Sequence, residues 1–221
     1  MPLRSAPQLI IFDCDGVLVD SERISHEVLL DMLAERGHRI SFEEAVATFM
    51  GSSMQRTLEL VEAMVQVPPD EFLPDFRART FAAFTTSLQP VAGVPELLDS
   101  LGTPFCVASN GPREKMTLTL TRTGLMRHFA DRMFSADDVA RPKPAPDLFL
   151  LAAARLGFAP SSCVVVEDSP TGVRAARAAG MTVFGYAALT SVQHLLDAGA
   201  HRIFDRMQDL PAMLGLAGDG G

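Results

Sequence analysis

A 221-residue chain in which 48% of residues are apolar can bury one sizeable core, with room for a smaller inserted unit. Its 15 Pro and 16 Gly follow no period, which excludes fibrous, linker-dominated and disordered classes. A formal charge of −8 argues against nucleic acid as a partner, so an anionic substrate needs local cations or a metal.

The first predicted element is a strand at residues 9–12, an apolar run that reads as parallel and covered on both faces. It ends in Asp13-Cys14-Asp15-Gly16. Ligands of open α/β sheets bind beyond the carboxyl ends of strands. Residues two apart on extended chain project alike, so Asp13 and Asp15 can serve one site. A cap or a turn is the competing reading of this motif taken alone. Helical patterns follow over 22–36, 42–49, 53–66 and 70–86 with no strand among them, which predicts a small helical unit inserted after the first strand. The segment 89–95, rich in Pro and Gly, reads as the return linker and a hinge.

Downstream, apolar runs at 104–108, 163–166, 181–185 and, more weakly, 202–204 alternate with helical stretches at 113–125, 146–156 and 171–179. The alternation predicts an α/β fold with a Rossmann-like, doubly wound parallel sheet. The second strand runs into Ser109-Asn110-Gly111-Pro112 at a helix start, where a hydroxyl and main-chain N–H groups form either an anion site or a simple cap. In Arg141-Pro142-Lys143-Pro144 the prolines keep the backbone extended and fix one positive charge, unless Lys143 is a solvated surface residue. The run at 163–166 ends in Glu167-Asp168, a second acidic pair at a strand tip. If the two tips adjoin, four carboxylates meet and require a cation, and hard oxygen donors suit Mg²⁺. Cys14, Cys106 and Cys163 show no metal-ligand spacing and read as small core residues.

These features, in this order, resemble the haloacid dehalogenase-like hydrolase superfamily over nearly the whole chain. FDCDGVLVDSE resembles its first motif, VASNGP its second, RPKPAPDLF its third and VVVEDSPTGVRAA its fourth. The helical insert resembles the cap of the β-phosphoglucomutase-like subgroup. The stretch from Phe105 to Met116 is similar to bacterial sugar-phosphate phosphatases of the 6-phosphogluconate type. The resemblance implies a Rossmann-like catalytic core at residues 1–20 and 90–221, with a four-helix cap domain at 21–89.

It also implies a Mg²⁺-dependent phosphatase that hydrolyses a small phosphorylated metabolite, a sugar or sugar-acid phosphate. Asp13 would form an aspartyl-phosphate, and Asp15 would protonate the leaving alcohol and then activate water. The metal would be held by Asp13, the main-chain carbonyl of Asp15 and Asp168, with Glu167 assisting directly or through water. Ser109, the N–H of Asn110 and Lys143 would bind phosphoryl oxygens. On this scheme neighbouring carboxylates raise the pKa of Asp15, while Asp13 stays ionised beside the metal. The loop at Gly51 is expected to face the site and select the leaving group. Arg113 or Lys115 would meet a second anionic group, unless both belong to a solvated helix face.

A phosphosugar mutase of the β-phosphoglucomutase type is the alternative. Those enzymes use a cap Arg shortly after a Gly and a His in the helix after the first motif. Here Met54 and Ser25 stand at those positions, with Arg56 and His26 nearby, which favours water as the acceptor. A non-catalytic binding protein is a third reading, opposed by the presence of Asp13, Asp15, Lys143 and Asp168. No stretch approaches the length of a membrane span and the first ten residues lack a long apolar core, so a cytoplasmic protein without a membrane partner is expected. Nothing marks a dedicated apolar interface, which favours a monomer.

Overall fold

The computed structural model describes residues 6–50, 52 and 54–216. Six strands, β1 (Leu9–Phe12), β2 (Phe105–Ser109), β3 (Met133–Ser135), β4 (Cys163–Glu167), β5 (Thr182–Tyr186) and β6 (Arg202–Phe204), form one sheet. Their order is β3-β2-β1-β4-β5-β6 and every neighbouring pair is parallel. The order reverses between β1 and β4, and ligands of doubly wound sheets bind at such a crevice. Phe12 is in register with both Val107 and Val166, so the residues after these three strands emerge side by side.

The strands are apolar on both faces because each face is covered. Ile10, Phe12, Val107 and Val166 point into one apolar cluster, where α5 (Val94–Ser100) and α6 (Arg113–Arg122) pack. Leu9, Ile11, Ala108 and Val165 point into the other, beneath α8 (Asp147–Leu156) and α9 (Pro170–Ala178). The two-residue alternation of strand side chains sorts them. The short helices α7 (Met126–Phe129) and α11 (Leu210–Met213) join the first cluster, and α10 (Val192–Asp197) joins the second. Cys14, Cys106 and Cys163 are all buried, as core residues should be.

Between β1 and β2 lie α1 (Ser21–Glu35), α2 (Phe42–Phe49), α3 (Met54–Val65) and α4 (Pro69–Ser87), with no strand among the described residues. Arg79 of α4 ties itself to α1 through Glu35 at 2.6 Å. The chain enters and leaves these helices through two segments lying side by side. The Asp20 N–H donates to the Gln89 carbonyl at 3.0 Å, and the Val91 N–H to the Leu18 carbonyl at 2.9 Å.

Besides the short helices α7, α10 and α11, which fall outside the predicted helical stretches, two elements depart from the sequence reading. The edge strand β3 has only three residues between charged flanks, too few for an alternating pattern to register. The expected linker over 89–95 is helical from Val94, after Gly93 at φ 85°. Pro95 lies in the first turn of α5, where a missing N–H costs no helical hydrogen bond.

Candidate active site

Asp13 follows β1, Ser109 ends β2 and Glu167 ends β4, so three adjacent parallel strands deliver them to one edge. The Asp13 N–H donates to the Val166 carbonyl at 2.9 Å and continues the ladder one step past the strand. Beyond it the chain turns sharply at Gly16, whose φ is 75°. A Cβ there would also lie 2.0 Å from Asp168 Oδ2, so both conformation and space require glycine.

Lys143 is the centre of the cluster. Its buried ammonium donates to Asp13 Oδ1 at 2.6 Å, Glu167 Oε1 at 2.7 Å and the Ala108 carbonyl at 2.8 Å, and it sits 4.6 Å from the centre of the Phe149 ring. The solvated alternative for Lys143 is thereby removed. Burial opposes its charge, but Asp13 and Glu167 more than compensate and hold its pKa above the ordinary lysine value. The loop carrying Lys143 is itself clamped by the Asn110 side chain. Asn110 Nδ2 donates to the Lys143 carbonyl at 3.0 Å, and the Lys143 N–H donates to Asn110 Oδ1 at 2.9 Å.

Both oxygens of Glu167 are engaged. Oε1 accepts from Lys143, and Oε2 accepts from the Ser169 N–H and Oγ, each at 2.9 Å. The side chain expected to assist a metal instead acts as a counter-ion for Lys143 and is fixed by the cap of α9. Ser169 also caps that helix, accepting from the Gly172 N–H at 3.0 Å. The sequence reading passed over Ser169 as a site residue, although its place one residue past the acidic pair was available as a signal.

Asp15 is held by two groups that the sequence left unassigned or open. Ser21 Oγ donates to Oδ1 at 2.6 Å, and Lys115 Nζ lies 2.9 Å from Oδ2. Burial pushes the Asp15 carboxyl up, but Lys115 and Ser21 outweigh it and hold the pKa below the ordinary carboxylate value. Burial raises Asp13 to about 8, with Glu167 and Asp15 adding to the shift against Lys143. Asp15 departs from the expectation, because Lys115 pairs with it rather than facing solvent, whereas the expectation for Asp13 concerned the metal-bound state.

Arg113 is not brought to the site. Its guanidinium bonds Asp138 Oδ2 and the Met133 carbonyl, on the far side of the start of α6. Gly51 lies outside the described residues.

A cleft of about 250 Å³ is lined by Asp13, Asp15, Glu22, Ser109, Asn110, Gly111, Lys143, Glu167, Asp168, Ser169 and Thr171. A second cavity, about 320 Å³, shares Glu22, Asp168, Ser169 and Thr171 with it and is walled by residues of the helical insert and by Lys115. Ser25, His26 and Met54 line this second cavity, while Arg56 pairs with Glu59 at 3.0 Å on α3.

The donor set fits a hard divalent cation. Among the described residues, Asp13, Asp15, Glu22, Glu167 and Asp168 gather against Lys143 and Lys115, and burial, followed by Glu167 and Asp13, pushes Asp168 well above the ordinary carboxylate range. Among the described residues, no group of three or more His, Cys, Asp or Glu side chains is placed to hold a metal by itself. Mg²⁺ does not need one, since water and substrate phosphate commonly complete its shell.

Residues 7–180 match the model of the haloacid dehalogenase-like hydrolase family. The chain belongs to that family. It is 33% identical over 183 residues to the 6-phosphogluconate phosphatase of Escherichia coli, covering 82% of this chain and 83% of that one. It is 34% identical over 179 residues to a fructose-1-phosphate phosphatase of the same organism, covering 78% and 92%. Among solved structures, a haloacid dehalogenase-like protein of unknown function from Agrobacterium tumefaciens superimposes with a TM-score of 0.87 at 40% identity, over 95% of this chain and 98% of that one. Within the family, this chain is a phosphoric monoester hydrolase.

Proposed function

We propose that the protein hydrolyses the phosphate monoester of a small sugar or sugar acid in two displacements on Asp13, with Mg²⁺ as cofactor. The observation that carries this reading is the buried Lys143 ammonium 2.6 Å from Asp13 Oδ1, in a cleft that Asp15, Ser109 and Asp168 also line. In the first displacement the Asp13 carboxylate attacks phosphorus, the bond to the alcohol breaks, and Asp15, protonated at the start of the cycle although Lys115 and Ser21 favour its charged form in the free protein, gives the departing oxygen that proton. In the second, water attacks the aspartyl-phosphate, Asp15 takes its proton, and inorganic phosphate leaves with Asp13 restored. Lys143, Ser109 and the Asn110 N–H neutralise charge on the transferring oxygens, which is most of what phosphoryl transfer requires. Asp13, Asp168 and the Asp15 carbonyl would hold Mg²⁺, which supplies further neutralisation of the phosphoryl charge when bound.

On the same reading, residues 1–20 and 90–221 form the catalytic core and 21–89 a cap that closes over it. The paired segments around Leu18–Asp20 and Gln89–Val91 are its hinge. Closure excludes water during the first displacement. Water rather than a second sugar hydroxyl is the acceptor, because Ser25 and Met54 stand where a mutase of this type carries its His and Arg, and the cavity's one imidazole among the described residues is that of the neighbouring His26.

The test is phosphate release from a panel of phosphorylated sugars and sugar acids with Mg²⁺. Release should stop on chelation, and Asp13→Asn should lower it by about 10³-fold or more. Undiminished release by Asp13→Asn would sink the covalent route. Isomerisation of a sugar phosphate without phosphate release would move the reading to a mutase.

A further inference from the structure

We propose that Lys115 determines specificity in the leaving-group cavity by exchanging the Asp15 carboxylate for a carboxylate on the substrate alcohol. The inference rests on the phosphatase reading above and narrows its substrate to phosphorylated sugar acids.

Lys115 stands in the first turn of α6 and reaches back over the cleft. Its ammonium lies 2.9 Å from Asp15 Oδ2 and 5.5 Å from the centre of the Phe84 ring on α4, so it spans the catalytic edge and the helical insert. Ser21 already occupies Asp15 Oδ1 at 2.6 Å. With Lys115 on Oδ2, each oxygen of the carboxylate already accepts one charge-assisted or hydroxyl bond, and a leaving alcohol that takes the place of one partner meets Asp15 directly. Ser21 is buried, whereas the Lys115 side chain keeps 34% of its surface exposed and is the partner able to move.

The position of Lys115 says which substrates can move it. Among the described residues, no other Lys or Arg lines the larger cavity, which also carries Glu22, Ser25 and His26 as hydrogen-bonding groups. A neutral alcohol offers the ammonium nothing to replace the charge it gives up at Asp15. A carboxylate on the alcohol does, and the charge-assisted bond it forms is the stronger kind.

The experiment compares 6-phosphogluconate with glucitol 6-phosphate, open-chain esters that differ in carrying a carboxylate or a hydroxymethyl group at the far end. The wild type should prefer the acid, and Lys115→Met should reduce the acid-to-polyol ratio of kcat/KM by about 10- to 100-fold. An unchanged ratio overturns the assignment, leaving Lys115 as a brace for Asp15 alone. Should Lys115→Met fail to fold, the wild type still decides. Gluconate should inhibit hydrolysis of the polyol ester about 10-fold more tightly than glucitol does, and equal inhibition overturns the assignment. Wild-type protein that releases phosphate from neither ester but from another ester of the panel overturns the sugar-acid assignment alone, and release from no ester of the panel overturns the proposed function.

Discussion

At Gly172, a methyl group would sit 1.7 Å from Glu167 Oε1, the oxygen that accepts from Lys143. Alanine in a helix is ordinarily better than glycine by roughly 0.5–1 kcal/mol, but overpacking a filled site costs about 1–3 kcal/mol. The clash should win. Gly172→Ala should lower stability by about 1–2 kcal/mol in urea unfolding and reduce kcat at least tenfold, since Glu167 must leave Lys143. A stabilised, fully active variant would show that Glu167 does not need its present place. The same scale explains Arg113 and Lys115. Side chains two apart on a helix do not share a face, so only one of the pair can look into the cleft. The residue types were legible in the sequence, but the rotational phase of α6 about its axis was not, and that phase sends Arg113 to Asp138.

Among the elements, α8 matters to the site through Phe149, which is fully buried and lies under the Lys143 ammonium. Phe149→Leu should cost about 1–2 kcal/mol through lost packing and cation–π attraction, and lower kcat several-fold as Lys143 loosens. Lost stability with unchanged kcat would show that the carboxylates alone hold the ammonium. Nothing in the sequence of α8 marked Phe149 as more than a core residue. Strands β1, β2 and β4 were legible because each is an unbroken apolar run with a polar exit. Strand β3 was not, because its pairing with β2 rather than its own composition defines it. Helix α5 was hidden by Pro95, which reads as a breaker in sequence but is harmless in a first turn.

For the whole molecule, crowded carboxylates tie stability to pH when no cation is bound. Asp13, raised from 3.8 to about 8, binds more protons folded than unfolded, so its contribution is full below 3.8 and is lost as pH rises toward 8. Asp168, also raised by burial, acts in the same direction. Desolvation lowers His128 and His201 from 6.5, which opposes the trend, but that effect is complete above this value. Between pH 7 and 8 in chelator the melting temperature should therefore fall, with a slope per extra proton of up to about 1.4 kcal/mol per pH unit. Asp13→Asn should flatten the fall, and Mg²⁺ should restore stability most at the upper end. A melting temperature that rises over this interval would contradict the burial of these acids. The sequence by itself determined the doubly wound sheet, because buried strands and their polar exits are local patterns, and its motifs put forward Asp13, Asp15, Ser109, Lys143 and Asp168 as candidates. Only the tertiary structure decided which charges pair. Lys143 is 130 residues from Asp13 and 24 from Glu167, and Lys115 meets Asp15 only after parallel crossovers bring their strand ends together. Charge pairing depends on distance in space, which no local pattern records.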